Sequence, residues 1–240
     1  MMNLKLILPF FIFFQPLANS MTIDTMLKIS DDNGTGVFTV SNDLDKSSFI
    51  KIEPSKVIVN KDGSLKKIKY DKSNFKDWEI SLTKTKLILE PKRVKNIGIR
   101  SLCSDGCDRT HDTVFAIKFL PTPYLKGDEK QASVTINYGY EPIFVIPASS
   151  PKYKYKIERK DDRVLIENSG NSLLRIFIDQ CNEKVKKNCN SNIVVLAGRK
   201  KDINLPINSR QNKINLNIMG YDNSFYKKAI LGKTTPIIRR

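Results

Sequence analysis

The sequence predicts an all-β chain built as two tandem immunoglobulin-like β-sandwich domains. Three observations carry that reading. From Met21 onward, short runs rich in β-branched and aromatic residues alternate with turn clusters at intervals of about 8–12 residues. No stretch sustains helical periodicity over three turns. The pattern pauses at Pro147-Ala148-Ser149-Ser150-Pro151 and restarts at Tyr153, which divides the chain into 21–147, a hinge at 148–152, and 153–240.

Taken in order, residues 1–20 come first. Lys5 precedes an apolar run over 6–14, and small residues stand at Ala18 and Ser20. One positive charge, a short apolar core and a small-x-small exit describe a secretory signal peptide. A membrane span needs about 20 apolar residues, and this run is shorter. The expected product is exported, begins near Met21 and has no membrane insertion.

The first domain reads as strands over 22–29, 37–42, 48–59, 65–70, 78–82, 87–89, 94–100 and 113–120. Asp31-Asp32-Asn33-Gly34 and Asn60-Lys61-Asp62-Gly63 are turn signals. Pro54 marks a bend or an edge in its strand. A connection over 121–130 follows, with two prolines and a glycine. In the second domain, 153–157, 163–167, 173–178, 193–196 and 213–219 are strand candidates.

The run over 132–147 changes character midway. Val134, Ile136, Tyr138 and Tyr140 recur at every second position, so a strand places them on one face. After Pro142, four apolar residues run together, as in a strand covered on both sides. The second half is built for the protein's own interior. The first half is either an ordinary sandwich strand or a greasy edge offered to something else.

The formal charge is +16, and removing the leader takes away Lys5 and no acid, leaving +15. The lysines are spread singly or in pairs, and nucleic acid is not an expected partner of an exported chain. An acidic protein or surface fits better, and a solvated basic surface accounts for the charge most simply. Four cysteines form two close pairs, Cys103 with Cys107 and Cys181 with Cys189. In an exported chain these read as two short disulfide loops, each contributing roughly 2–3 kcal/mol. A four-thiolate zinc site has poor spacing here. No cofactor or metal motif is present, and the single histidine, His111, lies beside Asp112 in a polar loop without a nucleophile elbow. The expectation is a protein that is not an enzyme.

Several pieces resemble the periplasmic chaperones of the fimbrial chaperone–usher pathway, and look most like the alternate branch serving class 5 colonisation-factor pili. They are Ser48-Phe49-Ile50-Lys51-Ile52, Trp78, and Leu87-Ile88-Leu89-Glu90-Pro91 with the strand after it. Phe115-Ala116-Ile117-Lys118-Phe119 with Pro121 and Pro123 is similar to that family's sixth strand and proline exit. The 133–147 run looks like its seventh strand and interdomain proline, and Val164-Leu165-Ile166-Glu167-Asn168-Ser169-Gly170-Asn171 like its second-domain strand and turn. The Cys181–Cys189 loop has a counterpart in class 5 members.

The resemblance implies two sandwiches set in an L, a periplasmic address, and donor-strand complementation. In that exchange a pilin subunit, a sandwich missing a strand, borrows the chaperone's seventh strand until an outer-membrane usher passes it on. Val134, Ile136 and Tyr138 are then the donor side chains. Two basic residues would anchor the subunit's terminal carboxylate. Lys28 is the candidate on the first strand. Pro142 stands about where the seventh-strand lysine is expected, so Lys118 or Arg100 on neighbouring strands is the second. The alternative is an exported immunoglobulin-like adhesin or pilus structural protein.

Overall fold

The structure is a computed structural model that describes residues 21–103, 108–124, 138–210 and 212–240. The first sandwich contains β1 (Met21–Ile23), β2 (Leu27–Ile29), β3 (Thr35–Asn42), β4 (Ser48–Val59), β5 (Leu65–Lys69), β6 (Ile80–Leu82), β7 (Lys86–Leu89), β8 (Val94–Ser101), β9 (Thr113–Pro123) and β10 (Ile143–Ile146). The second contains β11 (Tyr155–Lys160), β12 (Arg163–Asn168), β13 (Leu174–Asp179), β14 (Asn190–Val195), β15 (Lys200–Asn204), β16 (Ile214–Met219), β17 (Tyr226–Leu231) and β18 (Ile237–Arg239). Two 3-10 turns, Lys72–Asp77 and Ile207–Ser209, complete the described elements.

One sheet of the first sandwich runs β1-β3-β8-β6 and the other β2-β10-β9-β4-β5, with β7 also on β4. In the second sandwich the sheets are β15-β12-β11-β18 and β14-β13-β16-β17. Alternation decides what lies between each pair of sheets. Phe115, Ile117 and Phe119 of β9 meet Phe38 and Ile97 in one core; Ile157 and Ile166 meet Ile176 and Ile218 in the other.

The expected strand over 22–29 is two strands in two sheets. β1 pairs antiparallel with β3, whereas β2 pairs parallel with β10. The break sits at Asp24 and Thr25, whose side chains take over backbone partners. Thr39 N–H donates to the Asp24 carboxylate at 3.1 Å, and Leu27 N–H donates to Thr25 Oγ1 at 3.2 Å. Pro54 neither bends β4 away nor puts it at an edge. β4 is paired with β9 along most of its length, and Pro54 falls where its other neighbour changes from β7 to β5. At that gap no partner needs the N–H that proline lacks.

Alternation signals failed at the amphiphilic edges. β15 and β17 carry lysine pairs and β18 is only three residues long, so none of them is legible as a strand, and residues 72–77 are a 3-10 turn capped by Asp71. The disulfide Cys181–Cys189 is formed. Cys107 lies outside the described residues, so the Cys103–Cys107 pairing does too.

Candidate functional site

The outward face of the β2-β10-β9-β4-β5 sheet has two parts. Near the hinge it is apolar. Val57 of β4, Val114 and Ala116 of β9 and Val145 of β10 are buried against Leu173 and Leu196 of the second sandwich. Farther along the same strands the outward residues are charged. Lys118 faces Glu53 across β9 and β4. Glu53 takes Lys51 at 2.7 Å and Lys69 at 3.3 Å, and Glu141 takes Lys67. The hydrogen bond from Lys51 leads the causes that hold the Glu53 carboxyl below its ordinary value.

The junction of the sandwiches is closed by polar groups whose role is not visible in the sequence. The Asp112 carboxylate accepts Ala148 N–H of the linker at 2.9 Å and Leu173 N–H of the second sandwich at 2.7 Å. Burial pushes the Asp112 carboxyl up from its ordinary value, against those two N–H bonds. Asn171 completes the latch. Its amide donates to Thr110 O at 2.6 Å and Ser150 O at 3.0 Å, and Asp112 N–H donates to Asn171 O at 2.9 Å. Gly170 is required in the same turn, because a Cβ there would lie 2.1 Å from Lys152 O. His111 is exposed and contacts Thr110 Oγ1 at 3.0 Å. A cavity of about 250 Å³ between the sandwiches is lined by His111, Asp112, Val57 and Leu196, among others. The motif Asn168-Ser169-Gly170-Asn171 was visible in the sequence; its reach across the hinge was not, because the partners are about 60 residues away.

The β10 end of the 132–147 run behaves as expected for its second half: Phe144, Val145 and Ile146 are buried, paired with β2 on one side and β9 on the other. Residues 125–137, which include Val134 and Ile136, lie outside the described residues. Tyr138 is described and is 72% exposed. Tyr140 packs against the core and its hydroxyl donates to Met21 O at 2.8 Å. The two tyrosines, placed on one face by alternation, therefore differ in environment.

Among the described residues the ladder between this segment and β9 reaches Tyr140. Ile117 N–H donates to Pro142 O at 2.9 Å and Phe119 N–H to Tyr140 O at 2.7 Å. The next residues of β9 with backbone groups on that side are Pro121 and Pro123, which have carbonyls but no N–H. Past Phe119, this stretch of β9 offers acceptors and no donors toward the incoming strand.

The basic candidates are not brought to one point. Lys28 shares a face with Phe144, pairs with Asp24 at 2.9 Å and sits 5.9 Å from the Phe38 ring, inside the sheet pair. Lys118 is exposed on the opposite, outward face. Arg100 is exposed on β8 of the other sheet. Among the described residues no cluster of histidine, cysteine and carboxylate side chains could hold a metal. No helix among them is long and apolar enough to cross a membrane.

Comparison with known proteins adds a lineage to this geometry. Residues 23–147 match the family model described as the CS5 fimbrial protein N-terminal domain. The chain belongs to that family. A curated Escherichia coli relative, "Uncharacterized 25.9 kDa protein in CS5 3'region", is 22% identical over 232 residues, covering 94% of this chain and 97% of its own. Among solved structures, the class 5 fimbriae chaperone CfaA aligns with TM-score 0.51 at 16% identity, over 90% of this chain and 100% of that one. The periplasmic chaperone SfaE aligns at 0.54 and 10% identity, over 89% and 100%. The Acinetobacter baumannii CsuC–CsuE chaperone–tip adhesion subunit complex aligns at 0.54 and 9%, over 88% and 98%. These likenesses establish the architecture of two immunoglobulin-like sandwiches for this member of the CS5 family.

Proposed function

We propose that this chain is a periplasmic assembly chaperone for pilin subunits, acting by donor-strand complementation and without a catalytic step. The observation that carries the reading is the change of environment between Tyr140 and Tyr138, beside a stretch of β9 that lacks N–H donors. Tyr140 is held in the core, Tyr138 is 72% exposed, and β9 beyond Phe119 has prolines where N–H donors would stand. A segment whose neighbouring strand offers it carbonyls but no N–H groups is weakly retained by its own sheet, and such an edge is one an incomplete sandwich can borrow.

The membership in a fimbrial family supports a pilus-related client, and the full-length match to CfaA supports the chaperone role over a structural one. Val134, Ile136 and Tyr138 are the donor side chains on this reading, and burying each in a subunit groove is worth about 1.5–3 kcal/mol before ordering costs. Pilin subunits and an outer-membrane usher are the partners. Domain 21–147 supplies the donor strand and 153–240 the second wall of the cleft. Lys118 and its neighbours Lys67 and Lys69 lie on the open face, where an extra carboxylate would find cations. Lys28, tucked beside Phe38, reaches that face only by leaving Asp24.

Co-expression with the pilin of the same gene cluster tests the proposal. Tagged wild-type protein recovers the pilin from periplasm; Ile136→Asp, with an unchanged melting temperature, does not. Equal recovery by Ile136→Asp would overturn the donor-strand role. Incorporation of the chain itself into purified pili would favour the adhesin or structural reading instead.

A further inference from the structure

The Cys181–Cys189 loop encloses three lysines, Lys184, Lys186 and Lys187, and one glutamate. All three lysines are exposed. Elsewhere among the described residues nine lysines, Lys51, Lys67, Lys69 and Lys95 among them, have a carboxylate partner, and the larger number do not; what sets the loop apart is three such unpaired lysines within four positions. Among the described residues no ion pair reaches Lys184, Lys186 or Lys187.

The loop's backbone is held at both ends and in the middle. The disulfide closes it over a separation of 8, and Gln180 N–H donates to Cys189 O at 2.9 Å beside the closure. Inside, Asn182 N–H donates to Val185 O at 3.0 Å and Val185 N–H to Asn182 O at 3.2 Å. On the far limb, Asn208 N–H donates to Asn188 O at 3.0 Å and the Asn208 amide to Lys187 O at 2.7 Å. Asn208 belongs to the Ile207–Ser209 turn, so the same bonds set Ile207, 71% exposed, beside the lysines.

We infer that this stapled loop, with Ile207, is a docking surface for a folded protein partner that presents an acidic patch around an apolar spot, separate from the client-binding edge. Charge selects an anion. Rigidity selects the kind of anion: fixing the spacing of cations before contact lowers the ordering cost only against a partner whose own charges are fixed. A fluid lipid surface rearranges its headgroups around any cation and gains nothing from a staple. Complementary charge of this sort governs encounter and register, and weakens as salt rises.

The test rests on the carrier reading for its assay and separates the two claims. Three chains are compared in cells making the whole pilus system: wild type, Lys184→Glu/Lys186→Glu/Lys187→Glu, and Cys181→Ser/Cys189→Ser. Subunit recovered with the tagged chain, surface pili, and flotation with vesicles containing 30% phosphatidylglycerol are measured. The inference expects subunit recovery within twofold of wild type in both variants. Surface pili should fall at least tenfold with the reversed charges and two- to fivefold with the opened loop, and no chain should float with vesicles. Surface pili at the wild-type level in the charge-reversed chain overturn it. Lost subunit recovery in that chain overturns it too, by assigning the loop to the client. Flotation of wild type alone replaces the protein partner with lipid. A wild-type chain that recovers no subunit sinks the carrier reading and this inference with it.

Discussion

One sheet face serves two ends in this molecule. Near the hinge, the outward residues of β4, β9 and β10 are Val57, Val114, Ala116 and Val145, and the second sandwich lies on them. On the same strands, Lys118 stands two residues beyond Ala116, Glu53 four from Val57 and Glu141 four from Val145, and these belong to an open, charged surface. The period of alternation is the same in both halves. What differs is the chemistry at the outward position, and only the apolar half is covered by the second sandwich. The junction half locks the sandwiches; on the charged half Lys118 is exposed.

The sharpest way to break the contrast is to write the charged half's chemistry into the junction. Val145→Asp puts a carboxylate at a site with no exposure and no partner. The cost should be about 4 kcal/mol or more, read as loss of soluble protein or of the cooperative melt. Asp112→Ala comes next. It strips an acceptor from Ala148 N–H and Leu173 N–H and should cost about 2–4 kcal/mol in chemical denaturation, with Asp112→Asn recovering part of it.

The pH dependence of that residue has a definite sign. Burial raises the folded-state value of Asp112 above its ordinary 3.8, so the folded form binds the proton more tightly than the unfolded form. Its contribution to stability therefore grows as pH falls from the raised value toward 3.8. Asp31, Asp62 and Asp71 do the reverse, since hydrogen bonds hold them low and their stabilisation is lost as pH falls through the lowered values. Comparing wild type with Asp112→Asn cancels those shared carboxylates. The difference in unfolding free energy should move in favour of wild type as the solution is acidified through that window.

Opening the second-sandwich loop with Cys181→Ser/Cys189→Ser should cost about 2–3 kcal/mol, below the effect of Asp112→Ala on the cooperative unit if the loop unfolds separately. Smallest in stability is Lys118→Glu on the charged half, expected within about 0.5 kcal/mol of wild type by thermal melt. Its expected consequence is a severalfold loss of captured subunit, which would place function and stability on different halves of one face.

The described strands with apolar alternation were legible in the sequence, as was the buried run after Pro142, because burial on one or two faces leaves a direct imprint on residue type. Phe144-Val145-Ile146 is the plain case. Edges were not legible: β15 and β17 satisfy backbone pairing on one side while their lysines face water, and β18 is too short for any alternation to show, so their side chains do not announce a strand. The division of 22–29 between two sheets depends on Asp24 and Thr25 bonding local backbone, which composition does not show. Asp112 and Asn171 read as loop polar residues because their partners are remote in sequence. The basic pair was drawn from resemblance, and facing direction, which puts Lys28 and Lys118 on opposite sides of one sheet, is a property of register.

The central claim is that residues 132–138 pair with a client strand more firmly than with their own sheet. Amide hydrogen exchange over that segment, measured on the free chain and on the chain loaded with its pilin, tests it directly. The account predicts fast exchange when free and slowing by at least a hundredfold when loaded, with β10 protected in both states. Protection already complete in the free chain, or unchanged by loading, would contradict it.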